Sequence, residues 1–581
     1  MMKKNNIFTP VLLNIIIVVL INTLGNFMYS RYDLTFEKEH TLSKETEKVL
    51  LNLDDLIYVK VFLKGEYPAG FKRLEKQSQE ILENFKNIAG EKLDFEFINP
   101  FKSSSETERN KVYKQLVNQG LKPTDLQVKK QDGMSSSIIF PGAIIYYREK
   151  FTAVDLLKKE IGLLPEVALN NSVEALEYEF ISAISKLTKN KKEKIAFLQG
   201  HGELSKIEVA DLSHSVMQDA YNLSEYYEIE HFDITEFEVD SNNNEPKLAK
   251  QLQKLQVFKS IVISKPEITF SNLDKLLLDQ YILNGGNVLW LLDGVSANMD
   301  SLNQADGYFM AKKNLLNLDD MLFKYGVRIN ADLVQDKRAT AIPIITGYSG
   351  NIPQQSLFSW PYYPLLLSDS ENPISKGLDA IKCEFVSSVD TLKNSINKTI
   401  LLHSSENARV VPSPLRVSLG ILQNPPKNSY FNQPNIPVAV LLEGKFESVF
   451  KNRITPKNKG FKLKEAGEDA KMIVISDGDI IKNNFSEKTG NVYPLGYDKF
   501  GEFIYPGNKT FLMNAVHYLC DNTQDLLLSP LKNKELNLRL LNKVKIQENR
   551  LSIQLVNLLA PILLIVLLGI CFTYIKKKKY A

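Results

Sequence analysis

The sequence predicts an α/β fold held between two apolar helices, one near each end of the chain. Three observations predict it. Strand and helix patterns alternate through the middle of the chain, and apolar runs of bilayer length lie near both ends. The composition of the 581 residues, 44% hydrophobic and 24% charged, is that of a globular protein, which disfavours long disorder and a polytopic membrane protein. The length allows roughly three or four compact units. With 71 Lys+Arg against 68 Asp+Glu, net +3, the chain has no global field to draw in nucleic acid. Three cysteines, Cys383, Cys520 and Cys571, cannot build a disulfide framework or a Cys-ligated cluster.

The first apolar run, Ile7 to Met28, follows Lys3 and Lys4, and the last, Ile553 to Ile575, precedes Lys576–Lys579. A run of about 22 residues spans roughly 33 Å as a helix, enough for a bilayer core. Transmembrane helices are therefore expected over 7–29 and 553–575. The basic flanks put both termini in the cytoplasm and the body between them on the far side. A cleaved signal peptide is the rival for the first run, but the run is long for one and lacks an A-x-A-like exit. Asn14, Asn22 and Asn557 are candidates for bonding to a neighbouring membrane helix; the alternative for Asn557 is hydration at the interface.

Between the anchors, Ser43 is placed to cap a helix running toward Leu53, with Glu45 and Glu47 in its first turns. Leu56–Leu63 reads as a strand, Phe71–Ile88 as a helix with Leu74, Ile81, Leu82 and Phe85 on one stripe, and Lys92–Ile98 as a second strand. A helix over Val173–Leu187 is expected to open at Asn171–Glu174, which has capping-box spacing. The charged run Lys189–Lys194 marks a boundary between an N-terminal domain, 30–188, and a central domain, 189–525. A membrane-proximal segment, 526–551, follows.

The central domain opens with a buried strand, Ile195–Leu198, then Gln199-Gly200-His201-Gly202-Glu203 and a helix expected over Ile207–Tyr221. Ligands of open α/β sheets bind at the carboxyl ends of strands. Two further strand ends lead to Asp293-Gly294 and to Asp477-Gly478-Asp479. The sharp reading is a ligand cleft lined by His201, Glu203, Asp293 and Asp477. The plainer one is that glycine and aspartate are what tight βα turns use. Two Pro-rich stretches, Pro343–Pro364 and Pro412–Pro437, read as long loops. Trp360, Tyr362 and Tyr363 within the first are either a contact surface or pins to the core.

The chain has no G-x-x-x-x-G-K-[ST] loop, no H-E-x-x-H or comparable metal spacing among its six histidines, and no G-x-S-x-G elbow. No cysteine sits in a glycine-flanked strand-to-helix turn. Catalysis, a metal and a cofactor are not expected.

Several motifs in order resemble one family. These are Arg31-Tyr32-Asp33-Leu34-Thr35 with Thr41-Leu42-Ser43, Tyr67–Leu74, Leu176-Glu177-Tyr178, Gly200–Leu204, Gly285–Trp290 and Trp360–Pro364. They are similar to the gliding-motility-associated ABC transporter auxiliary proteins, the GldG family, over nearly the whole chain including both apolar runs. The resemblance implies a flavodoxin-like or amidotransferase-like central domain without catalytic residues. It also implies an inner-membrane complex with a separate ABC ATP-binding subunit and a separate multi-span permease. The expected role is a non-catalytic accessory subunit with a large periplasmic body. A membrane-anchored periplasmic solute- or glycan-binding receptor is the alternative.

Overall fold

The computed structural model describes residues 42–531, apart from 103–104, 131–132, 159–164, 190–191, 217–220, 240–245, 305–306, 369–370, 454–461, 487 and 529–530, with scattered residues between 559 and 577. The chain falls into two compact units, 41–534 and the two ends taken together. In the latter, Leu559, Pro561 and residues 565–570, 572–573 and 576–577 are helical, and Ile565, Leu567, Leu568 and Phe572 are exposed. Among the described residues no helix is long and apolar enough to cross a membrane. The run 7–29 lies wholly outside the described residues and 553–575 mostly so; Asn14, Asn22 and Asn557 lie outside them too.

The larger unit opens with α1 (Lys44–Leu51), where Ser43 Oγ accepts the Thr46 N–H at 3.1 Å. It continues with β1 (Ile57–Val61), α2 (Ala69–Ala89), β2 (Leu93–Phe97), β3 (Gly142–Tyr147) and β4 (Lys150–Asp155). The four strands form one sheet, β2-β1-β3-β4, in which β1 and β2 run parallel. Phe71, Leu74, Leu82 and Phe85 give α2 its buried stripe. The helix expected to start at Asn171 starts earlier: α3 (Pro165–Glu174) runs through Asn171, and α4 (Leu176–Thr188) follows a break at Ala175. A proline is pre-organised for a first helical position, and that outweighs the local capping pattern. Leu82, Ile184, Phe197, Leu289 and Val516 belong to one apolar core shared by residues on both sides of Lys189–Lys194.

The central sheet uses β5 (Glu193–Gln199), β6 (Tyr227–Asp233), β7 (Ser260–Ser264) and, after α5 (Asn272–Leu283), β8 (Asn287–Leu291). A long excursion follows, containing β9 (Ala339–Ser349) and β10 (Ile352–Leu366). The chain then returns through β11 (Asn397–His403), β12 (Pro437–Glu447) and β13 (Ala466–Ile475) to α6 (Pro506–Leu519). The spatial order is β11-β12-β13-β8-β7-β5-β6. The five strands β6, β5, β7, β8 and β13 are parallel, and β12 and β11 extend the sheet antiparallel. Every residue of β7 and β8 is buried, as apolar strands covered on both faces require.

Two expectations are corrected. Of the helix expected over Ile207–Tyr221, only the single turn Ala210–Ser213 is α-helical among the described residues. Buried Asp211 accepts the N–H groups of Val216 and Leu495, both at 2.9 Å, so distant bonds replace the helical ladder. The stretch Pro343–Pro364 is not a loop but the ribbon β9–β10. Proline is tolerated there because both strands expose edges over most of the ribbon. Trp360, Tyr362 and Tyr363 are pins to the core, buried around Phe385.

Candidate functional site

The parallel strands reverse their order of addition between β5 and β7, and the crevice beyond their carboxyl ends is where an open α/β sheet receives a ligand. The chain itself fills that crevice. Gly200 (φ +120°) and Gly202 (φ +75°) turn it sharply after β5. A Cβ at Gly200 would lie 2.7 Å from Thr235 Cγ2. The turn lets the His201 carbonyl accept the N–H groups of Glu267 and Ile268, at 2.9 and 2.8 Å. The Leu204 N–H donates to the last residue of β7, the Ser264 carbonyl, at 3.0 Å.

The His201 ring is 3.7 Å, centroid to centroid, from Phe270 and stacked nearly parallel to it. Its Nε2 lies 3.2 Å from Asp274 Oδ2 and its Nδ1 3.6 Å from Glu203 Oε1. Glu203 Oε2 also accepts the His201 N–H at 2.7 Å. All three side chains are buried. Burial alone would lower the imidazole pKa, but the bonds to Asp274 and Glu203 outweigh it and push the value up to about 9. His201 is an imidazolium clamped between two carboxylates and stacked on a ring. Asp274 was missed by the sequence reading. The available signal was Ser271-x-x-Asp274 ahead of an apolar run, and both halves of that capping box are present at the start of α5.

Asp293 and Asp477 meet elsewhere, beyond β8 and β13. One carboxylate oxygen from each of Asp293, Asp477 and Asp479 lies within 4.8 Å of the other two. Lys265, just past β7, donates to Asp479 and sits 3.6 Å from Asp293. Asp293 accepts the Gly478 N–H at 2.6 Å, and Asp477 accepts those of Asp479 and Glu384 at 2.7 and 2.9 Å. Burial, then the charges of Asp479 and Asp293, push the Asp477 carboxyl well up. Asp479 is raised by burial to about 6 despite the pull of Lys265. Burial opposes a charged Lys265, but Asp293 and Asp479 raise its pKa on balance. Three carboxylates are oxygen donors of the kind a hard cation takes, and here an ammonium supplies the countercharge.

The structure thus separates the four sequence candidates into two clusters, His201 with Glu203 and Asp293 with Asp477. A cavity of about 140 Å³ borders the second, lined by Lys265, Tyr363, Lys382, Glu384, Asp479 and Lys499. It is smaller than the roughly 300–1,000 Å³ of ordinary small-molecule sites. A larger cavity, about 470 Å³, lies at neither cluster but beside Lys337, Arg338 and His403. The nearest thiol to the second cluster, Cys383, is buried, and burial followed by the charge of Asp477 pushes its pKa up, the reverse of what a nucleophile needs.

Comparison with known proteins adds the following. A family model described as an ABC-type uncharacterized transport system matches residues 192–515, more than half of the chain. A domain of unknown function (DUF7088) matches residues 37–146. An uncharacterized protein of Borreliella burgdorferi is 22% identical over 470 residues, 79% of this chain and 82% of that protein. The solved mmIFT52 N-terminal domain superposes on 56% of this chain and 96% of its own at 14% identity, with a TM-score of 0.30, too loose to carry an argument. These matches bear on the auxiliary transport family; none carries a gliding-motility description.

Proposed function

This chain belongs to the ABC-type uncharacterized transport system family, and from that premise we propose that it is a non-catalytic accessory subunit of an inner-membrane ABC transporter. The family match over 192–515 carries the reading. An auxiliary transport family suggests a non-catalytic role, and ATP hydrolysis then falls to a separate ATP-binding subunit beside a multi-span permease. The main body is periplasmic and both termini are cytoplasmic in this reading, with anchors over 7–29 and 553–575. Support comes from the basic outer flanks and from the exposed apolar helix residues Ile565–Ile570.

The central domain is flavodoxin-like in this reading, supported by the 2-1-3-4-5 order of its parallel strands. The domain limits 30–188 and 189–525 and an association with gliding motility are parts of the same proposal, the latter resting on the motif resemblance. The receptor alternative is weaker. The switch-point crevice is filled by His201 and Phe270, and the cavity near Asp479 is small.

Mild-detergent purification of the full-length protein, with anchors intact and then deleted, tests the proposal. Recovery of an ATP-binding subunit and a permease only with the anchors present is expected. Recovery of neither in several detergents sinks it.

A further inference from the structure

The ribbon β9–β10 stands out from the rest of the chain by what it lacks. Residues 339–368 contain no Asp, Glu, Lys, Arg or His, where the overall 24% charged content would place about seven charges. All eight residues 352–359 of β10 are exposed; on β9, Ile342 and Ile344 pack against the core while Ile345 and Tyr348 are exposed. A two-stranded ribbon of that kind is marginal in water without something packed on it.

The register sorts its side chains. Pro343 pairs with Leu357, Ile345 with Gln355 and Tyr348 with Pro353, and these pairs lie on one face, alternating with Ile342–Phe358 and Ile344–Ser356 on the other. A bulge between Ile345 and Gly347 keeps Tyr348 in line with Ile345. The first face is therefore an apolar stripe in which Ile345, Tyr348 and Leu357 are 50%, 68% and 57% exposed.

At the root of the ribbon the chemistry changes. Lys337 and Arg338 immediately precede β9 and line the cavity of about 470 Å³ together with His403, Ser404, Ser405 and Glu406. Arg338 Nε donates to the Leu365 carbonyl at 2.9 Å and Lys337 lies over the Phe431 ring. Neither cation makes an ion pair among the described residues.

We propose that the apolar stripe of the ribbon and the cationic cavity at its root form one docking surface for another protein subunit, which presents a neutral apolar patch bordered by an acidic side chain. The inference rests on the accessory-subunit reading. A bilayer is a poor occupant, because the open edges of a two-stranded ribbon would leave backbone groups unpaired in hydrocarbon. A second copy of the ribbon brings no carboxylate for Lys337 and Arg338, since none exists over 339–368. Strand addition is obstructed by Pro343 and Pro353, which have no N–H to offer an incoming edge. The face, rather than the edge, is what a partner reads.

The test places a photo-crosslinking benzophenone amino acid at Tyr348, Leu357 and, on the opposite face, Gln354 of the full-length protein in its native membrane. Two variants accompany it, Ile345→Ser/Tyr348→Ser/Leu357→Ser and Lys337→Glu/Arg338→Glu, each checked for an unchanged urea midpoint. The expected result is cross-linking of one transport subunit from positions 348 and 357 but not 354. Its co-purification should fall at least tenfold in both variants. Cross-links to lipid or to a second copy, equal labelling from position 354, or undiminished co-purification would each overturn the surface. If the wild type recovers no transport subunit, the accessory reading fails. The surface then fails with it, whereas a transport subunit that co-purifies but is not cross-linked from positions 348 and 357 overturns the surface alone.

Discussion

The two charged clusters at the carboxyl edge of the central sheet are built from the same kind of strand-end turn, yet they solve different electrostatic problems. At His201 one cation lies between two carboxylates and against an aromatic face, in a crevice closed by backbone bonds. At Lys265 one cation answers three carboxylates, two of them raised in pKa, beside an open cavity. Acids outnumber bases in both clusters, two to one at His201 and three to one at Lys265, and buried acids become costlier as that excess grows. A glycine- and aspartate-bearing strand end therefore does not by itself announce a ligand site. The first cluster works as a plug; the second is the place where the fold holds unrelieved charge.

The sharpest way to break the contrast is Lys265→Met. It leaves Asp293, Asp477 and Asp479 facing one another, and should cost about 3–5 kcal/mol at pH 7. Urea denaturation should show part of this regained at pH 5, where Asp479 protonates. An equal loss at both pH values would mean that carboxylate repulsion is not the cause. His201→Ala should follow at about 3 kcal/mol, because Glu203 and Asp274 lose their shared cation. A loss of activity in this variant therefore needs a stability measurement beside it before it is read as a lost ligand contact.

The pH dependence should separate the clusters by window. Each group has a folded pKa above its ordinary value. Its stabilisation is then complete below the ordinary value and lost as pH rises through the folded one. For Asp479 the window runs from 3.8 to about 6, and for His201 from 6.5 to about 9. Asp479→Asn should flatten the stability profile in the lower window, and His201→Ala in the upper one. The smallest effect is expected of Asp477→Asn, about 1–3 kcal/mol at pH 7, since a carboxyl already inclined to be neutral loses no charge but its amide nitrogen cannot accept one of the N–H groups of Asp479 and Glu384. A cost well above about 3 kcal/mol would show that Asp477 is ionised in the folded protein.

What the sequence made legible was local. Ile195–Leu198, Val288–Leu291 and Met472–Ile475 are short, continuous apolar runs, and each lies in a strand of the central sheet. The cap at Ser43 needs only three following residues. The clusters were half legible: the turns bearing His201, Asp293 and Asp477 could be placed, but their partners could not. Lys265 meets Asp479 from 214 residues away, and His201 meets Asp274 from 73. Nothing in a local window signals such pairings. The ribbon was misread because proline weighs against a strand in general, whereas an edge strand exempts it. The helix after His201 was misread because Asp211, buried and bonded to Leu495, is committed to a distant loop.

The order of strands also sets a schedule for folding. β8 and β13 are hydrogen-bonded neighbours in the middle of the sheet, yet roughly 170 residues separate them along the chain, and a loop of that length must close before they can pair. Until β13 arrives, one edge of β8, a strand buried along its whole length in the finished fold, has no neighbour on that side. A chain emerging from its N-terminus would carry that sticky edge while roughly 170 further residues are synthesised. Truncations ending anywhere between β8 and β13 should aggregate rather than yield smaller soluble domains, and a holding chaperone would find its substrate in that interval.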